Sequence, residues 1–312
     1  MTTHQLSSGD LIADRRADYA KMLAESGDHQ GAAELMAQAL ELVPNWAAGW
    51  FRLADYEEKS GRKEAAVAAL RNTLRLNPED IFGASLKLAL LGASDMPEQP
   101  PSTYVARLFD DYAERFDQAL VEKLKYSVPE KLAALIDRAT GGQDFRHVTD
   151  LGCGTGLFGE RIRHRADFLE GFDLSANMLA KAEGKTLYDR LGRADLSLSP
   201  DNCGLFGELA ERRADLVSAA DVLMYLGGLE SAFVIADRLL APGGLFAFSV
   251  EDAADKDGFV LRPSLRYAHS EAYVASLCAE FGLSTIAIER TVIRLDAGMP
   301  IAGILFLARK PA

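Results

Sequence analysis

The sequence predicts two unlike halves. An all-α helical-repeat region comes first. An α/β unit follows, with a mostly parallel, doubly wound sheet that ends in an antiparallel hairpin. Three observations carry this reading. Two helical stretches near the start are related by a constant 34-residue offset. From about residue 146, short apolar strands alternate with helical segments, the pattern that puts helices on both faces of a parallel sheet. The last two strand-like runs are separated by little more than Gly298 and Pro300, residues that turn a chain back on itself.

Residues 1–12 are expected to be a flexible tail. Residues 13–95 hold the repeat, seen by aligning GDHQGAAELMAQALELVPNW (27–46) with GRKEAAVAALRNTLRLNPED (61–80). Gly27 and Gly61, Ala32 and Ala66, Met36 and Leu70, and Pro44 and Pro78 are each 34 positions apart. That is the tetratricopeptide period, in which small residues let two helices pack closely and a proline ends the second. Trp50, Leu53 and Ala54 occupy the first-helix positions of that repeat, whereas Thr73 stands where a small alanine is usual. A further helix over 81–93 is expected to cap the short array. MPEQPPS (96–102) is the linker.

A helical lead-in is expected over 103–142. Its first stretch carries Val105, Leu108, Phe109, Tyr112, Phe116 and Leu120 at helical spacing. A second helix starts at Pro129 and ends at Gly141-Gly142. Strands are then expected near 146–151, 168–173, 215–220, 244–250, 285–294 and 301–309, with a weaker one ending near Ala194-Asp195. That makes seven.

Bulk composition narrows the function. The chain has 312 residues and a formal charge of −12, which argues against general nucleic-acid binding. No run approaches the ~20 apolar residues of a membrane span, and the N-terminus has no signal-peptide pattern. Cys153, Cys203 and Cys278 are scattered and lack CxxC spacing, so neither disulfides nor a metal site is expected. A reducing cytoplasm fits best.

The chemistry concentrates in DLGCGTGLFG (150–159). From Gly154 it has the Gly154-x-Gly156-x-x-Gly159 spacing of a dinucleotide loop. From Asp150 it places an acid just before Gly152, Gly154 and Gly156. Asp173, at the tip of the second strand, can hold ribose hydroxyls under either reading. Asp150 separates them, because it would repel a pyrophosphate and attract the ammonium and sulfonium of S-adenosyl-L-methionine.

With VTDLGCGTG, GFDLSANMLAKA, RADL, DLVSAADVLMYLGGL and LLAPGGLFAFSVE in this order, the chain resembles class I S-adenosylmethionine-dependent methyltransferases. It is most similar to predicted bacterial members that carry tetratricopeptide repeats. The resemblance covers about 104–312 and implies a Rossmann-like seven-stranded sheet. It also implies site roles. Gly152 and Gly154 would line the methionine part of the cofactor, with Asp150 near its amino group. Asp173 would hold the ribose, and Leu174 and Met178 would flank the adenine. Asp195 would take the adenine amino group, with Leu196 beside it. Ala219 and Asp221 would sit by the methionine moiety and the transferred methyl, and Tyr112 belongs to a lead-in helix that closes over the cofactor.

Acceptor and catalytic candidates lie beyond the strand ends. Asp221 and Tyr225 follow the fourth strand and Glu251 the fifth. LRPSLRYAHSEAY (261–273) then reads as a substrate loop. His269 is a candidate general base, although Ser270 also looks like a helix N-cap that would merely seat it at a helix start. Arg262 and Arg266 can pair an acceptor carboxylate, and Tyr267 lies beside them. AADVLMYL stands where amino methyltransferases of glutamine and exocyclic bases carry an Asn/Asp-Pro-Pro-Tyr motif, which disfavours those substrates. The repeats imply a protein partner or an oligomer contact. The competing readings are a repeat adaptor that senses the cofactor without transferring a methyl, and a nicotinamide oxidoreductase.

Overall fold

Alanines at helical spacing build the first unit. The computed structural model describes residues 6–115, 125–296 and 298–312, and the chain divides into two compact units, Met1–Arg107 and Leu108–Ala312. In the first, α1 (Leu11–Glu25) buries Ala13, Ala17 and Ala20 against α2 (His29–Leu42), which offers Ala32, Ala33 and Met36. Only side chains this small let two helix axes approach closely. A second pair, α3 (Ala47–Lys59) and α4 (Lys63–Leu76), buries Ala54, Ala66 and Leu70. The offset partners Ala32 and Ala66, and Met36 and Leu70, are all fully buried. Thr73 is buried too and satisfies its hydroxyl on the Ala69 carbonyl at 3.1 Å. The short α5 (Ala84–Leu90) follows.

Residues 6–12, expected to be a flexible tail, are tied to the first helix instead. Asp10 caps α1 by accepting from Ile12 and Ala13, Ser7 and Ser8 donate to Asp14, and the Leu6 carbonyl accepts from the Trp46 indole at 3.2 Å. Met36→Ala should remove about 2–5 kcal/mol from this unit through the cavity it leaves, read as an earlier urea midpoint of the helical signal.

The lead-in helix is shorter than the spacing predicts. Helix α6 (Ser102–Tyr112) gives way to a 3-10 turn over Ala113–Arg115, and Phe116 and Leu120 lie outside the described residues. Helix α7 (Val128–Thr140) has Pro129 in its first turn and stops at Gly141, φ +63°.

The described residues form one nine-stranded sheet, where seven strands were expected. Five parallel strands run in the order β3 (Arg190–Arg193), β2 (Ala166–Asp173), β1 (Phe145–Leu151), β4 (Ala214–Ala219), β5 (Leu240–Asp252). Strand order reverses between β2 and β4, on either side of β1, which opens a crevice at the carboxyl ends. The hairpin of β8 (Ser284–Asp296) and β9 (Met299–Arg309) closes the sheet, with β9 antiparallel to β5.

The two additional strands come from the stretch read as a substrate loop. β6 (Phe259–Leu261) and β7 (Tyr267–His269) pair antiparallel, and β7 continues onto the end of β5 through Glu251 and Asp252. The turn closes where Arg262 N–H donates to the Arg266 carbonyl at 2.8 Å. Buried Leu261, Tyr267 and Ala268 drive this pairing; their apolar spacing is short and is hidden among the arginines. Helices α8 (Leu157–Ile162), α9 (Ala176–Gly184), α10 (Glu230–Leu239) and α11 (Glu271–Glu280) complete the unit. No helix among the described residues is long and apolar enough to cross a membrane.

Candidate cofactor site and the charged cluster beside it

The turn after β1 needs glycine for two separate reasons. Gly152, Gly154 and Gly156 all take positive φ, at +63°, +55° and +93°, a region that costs any residue with a Cβ. Gly152 also faces Val222 so closely that an added Cβ would stand 2.4 Å from its Cγ2. Gly152→Ala should therefore abolish ligand binding in calorimetry, and Val222→Ala in the same chain should restore part of it.

Asp150 ends β1 almost fully buried. The Ser218 hydroxyl donates to its Oδ1 and the Tyr188 hydroxyl to its Oδ2, both at 2.7 Å. Burial lifts the Asp150 carboxyl to about 6, which these two hydrogen bonds oppose and the charge of Asp173 reinforces. Asp173 ends β2. Its Oδ2 accepts from Gly154 N–H and its Oδ1 from Ser175 N–H, each at 2.8 Å, so it pins the turn to the second strand and each oxygen keeps a lone pair. Burial lifts it to about 6 as well. Ser175 caps α9 by accepting from Met178 N–H, and its hydroxyl donates to Asp110 on α6 at 2.5 Å. Leu174 is half-buried between these acids and α9.

Gly159, which creates the dinucleotide spacing, has another task. A Cβ on it would meet the Tyr188 hydroxyl at 2.5 Å, and the same ring fills the space beside Gly156 and Gly171. Three glycines thus form the slot that aims Tyr188 at Asp150.

Asp195 is half-buried and its Oδ1 accepts from Ser197 N–H and Oγ. Leu196 is buried beside it. Met178 and Ala219 are fully buried. Tyr112 ends α6, half-buried. On the same helix Phe109 meets Tyr225 edge to face, with centroids 4.9 Å apart.

The acceptor-side candidates are engaged in ways the sequence does not suggest. Asp221, at φ +60°, accepts from Arg294 Nη1 on both oxygens at 3.0 Å, and its backbone N–H donates to the Ser249 hydroxyl at 2.8 Å. Arg294 Nη2 also donates to Glu251, so one buried guanidinium holds both acids. Burial raises Asp221 and Glu251 above their ordinary values, and Arg294 opposes it. Arg266 donates from Nε to the Tyr225 hydroxyl at 3.1 Å and pairs with Asp296 at 3.3 Å. Arg262 donates to the Asp252 carbonyl at 3.2 Å.

His269 is not with them. It is fully buried in β7, and Nε2 donates to the Leu226 and Gly227 carbonyls at 3.1 and 2.9 Å. Burial pushes its pKa down to about 4. A neutral imidazole turned toward main-chain carbonyls fastens the 226–227 turn; it is not placed to serve as the base expected from sequence. Tyr267, expected in a substrate loop, is likewise fully buried, and burial raises its phenol.

Sequence reasoning missed Tyr188, Ser218, Asp110 and Arg294. Arg294 alone left a legible signal, a lone charge in the apolar run TVIRL.

A Rossmann-like sheet carries the acid-flanked glycine turn at its switch point, and the family model described as a methyltransferase domain matches residues 149–246. Two curated relatives are malonyl-[acyl-carrier protein] O-methyltransferases. The one from Enterobacter lignolyticus is 26% identical over 160 residues, 46% of this chain and 59% of its own length. The one from Pectobacterium atrosepticum is 30% identical over 145 residues, 46% of this chain and 52% of its own. The chain thus spans somewhat over half the length of these relatives.

Two solved structures share the fold. One is the Burkholderia thailandensis 1,6-didemethyltoxoflavin-N1-methyltransferase with bound 1,6-didemethyltoxoflavin and S-adenosylhomocysteine. It has a TM-score of 0.52 at 18% identity and covers 70% of this chain and 94% of that one. The other is the [4+2]-cyclase SpnF, with a TM-score of 0.54 at 16% identity over 69% and 98%.

Proposed function

We propose that the α/β unit is an S-adenosylmethionine-dependent methyltransferase acting on a carboxylate oxygen. The observation that carries this reading is Asp150. It is a buried acid whose partners among the described residues are two hydroxyls and no cation, so a cationic ligand gains most by arriving beside it. Gly152 and Gly154 let backbone approach the methionine part. Asp173 offers its remaining lone pairs to the ribose. Leu174 flanks the adenine, with Met178 beneath it, and Asp195 Oδ2 takes the adenine amino group beside Leu196. Ala219 floors the site, and Tyr112 lies over it. When bound, S-adenosylmethionine supplies a methyl group already activated on a sulfonium.

The occupied side chains favour a carboxylate acceptor. Asp221 and Glu251 are both engaged by Arg294 and His269 faces carbonyls, so an acceptor that needs no base fits best. A carboxylate is already ionised at pH 7, and general-base help is required only where the nucleophile carries a proton. Arg266, steadied by Tyr225, is the group that would orient it. Alignment in a dry pocket can contribute ~7–11 kcal/mol at best. The curated relatives are named for O-methylation of malonyl-acyl-carrier protein, whose malonyl group ends in a free carboxylate.

The helical unit is then a pair of tetratricopeptide repeats that binds a protein partner, a carrier protein bearing the acceptor included. Three free, buried cysteines suit the cytoplasm. Purified protein with methyl-labelled S-adenosylmethionine should label malonyl-acyl-carrier protein or another carboxylate, as a base-labile ester. Label on nitrogen would overturn the acceptor class. Cofactor binding without transfer to any acceptor in an extract would favour the sensing adaptor.

A further inference from the structure

One face of α1 is apolar and exposed. On α1, Leu11, Ile12, Tyr19 and Met22 are 79%, 59%, 62% and 61% exposed. The exposed Arg15 and Asp18 sit between them, with no ion pair among the described residues. Leu11, Arg15, Asp18 and Met22 follow four, three and four residues apart, the spacing of a two-helix seam.

We propose that this face is the interface of a homodimer, two copies packing α1 against α1 antiparallel about a two-fold axis midway between Arg15 and Asp18. The charge order selects both the occupant and the direction. In that register Arg15 of one copy opposes Asp18 of the other, and Asp18 opposes Arg15, so two ion pairs form at the centre. Leu11 meets Met22 at each end, so apolar contacts flank the charges. A parallel pair would set Arg15 on Arg15 and Asp18 on Asp18. The seam is therefore complementary to itself, which a two-fold interface requires.

Sedimentation of the full chain across a wide concentration range tests this. The unaltered protein should reach twice the chain mass. Arg15→Asp sets like charges opposite each other and should weaken the dimer at least tenfold. Asp18→Arg added to it reverses both signs and should restore it. Met22→Lys should weaken the dimer without any charge partner. All three sites are solvent-exposed, so thermal melting of the dilute proteins should stay unchanged. A chain that stays monomeric at every concentration would overturn the proposal and leave the face to a different protein. A dimer indifferent to Arg15→Asp, or one that the double exchange fails to restore, would also overturn it.

Discussion

Replacing Arg294 by alanine is expected to lower the stability of the α/β unit by about 3–5 kcal/mol and to abolish activity. Its guanidinium bridges Asp221, after β4, and Glu251, near the end of β5. All three side chains are buried or nearly so, at 3%, 11% and 7% exposure. Without the arginine, two carboxylates stand beside each other in a poorly hydrated place. Their protonation then becomes the cheapest relief. Burial already raises both, and the loss of Arg294 must raise them further. A carboxylate with a raised folded pKa contributes stability that is present below its unfolded pKa and lost as pH rises through the folded value. The deficit of Arg294→Ala should therefore be larger at neutral pH than at pH of about 5. Urea midpoints at the two values would check it, and a pH-independent deficit would contradict the pairing.

Affinity for S-adenosylhomocysteine should fall as pH drops through 6, by roughly tenfold per unit while one proton must leave. Asp150 and Asp173 each sit at about 6 in the ligand-free chain, raised mainly by burial. In the proposed reading the ligand ammonium binds the ionised form of Asp150, so at lower pH binding would first have to expel a proton. The same shift means that these two acids stabilise the empty fold fully below about 4 and lose that contribution as pH rises through 6. The ligand-induced thermal shift should accordingly be larger near pH of about 7.5 than near pH of about 5.

Tyr188→Phe keeps the ring in its glycine slot but removes one donor, at a stability cost of about 0.5–1.5 kcal/mol. It should move the binding midpoint upward in pH, and Ser218→Ala should do the same. Asp150→Asn should remove the Asp150 contribution and weaken binding most above pH of about 6, where the unaltered acid is ionised. Calorimetry on the four proteins separates these outcomes. A Tyr188→Phe profile that coincides with the unaltered one would refute the role given to Tyr188.

Much of the fold was legible because periodicity and turn chemistry are local. The strands that were expected match β1, β2, β4, β5, β8 and β9 within a few residues, since continuous apolar runs bounded by glycine, proline and asparagine admit few other structures. Helix α7 was bounded by Pro129 and Gly141 for the same reason. The β6–β7 pair was missed because three-residue strands carry too little alternation to be seen between arginines. Cofactor candidates were legible because a glycine turn and the acids at strand tips occupy regular distances along a βαβ unit. His269 was misjudged because its residue type suggests chemistry while its burial denies it.

The sequence alone determined the element order, the switch point at the carboxyl ends of the strands, and the place of Asp150 and Asp173 at the strand tips there, because each depends on contacts between near neighbours or on a repeating period. Only the tertiary structure decided which groups hold those acids and which are free to act. Tyr188 lies 38 residues from Asp150, Ser218 lies 68 from it, and Arg294 lies 73 from Asp221. Pairings at such separations are set by how strands and loops pack side by side, and they fix the charge and accessibility of a side chain, on which its chemistry depends.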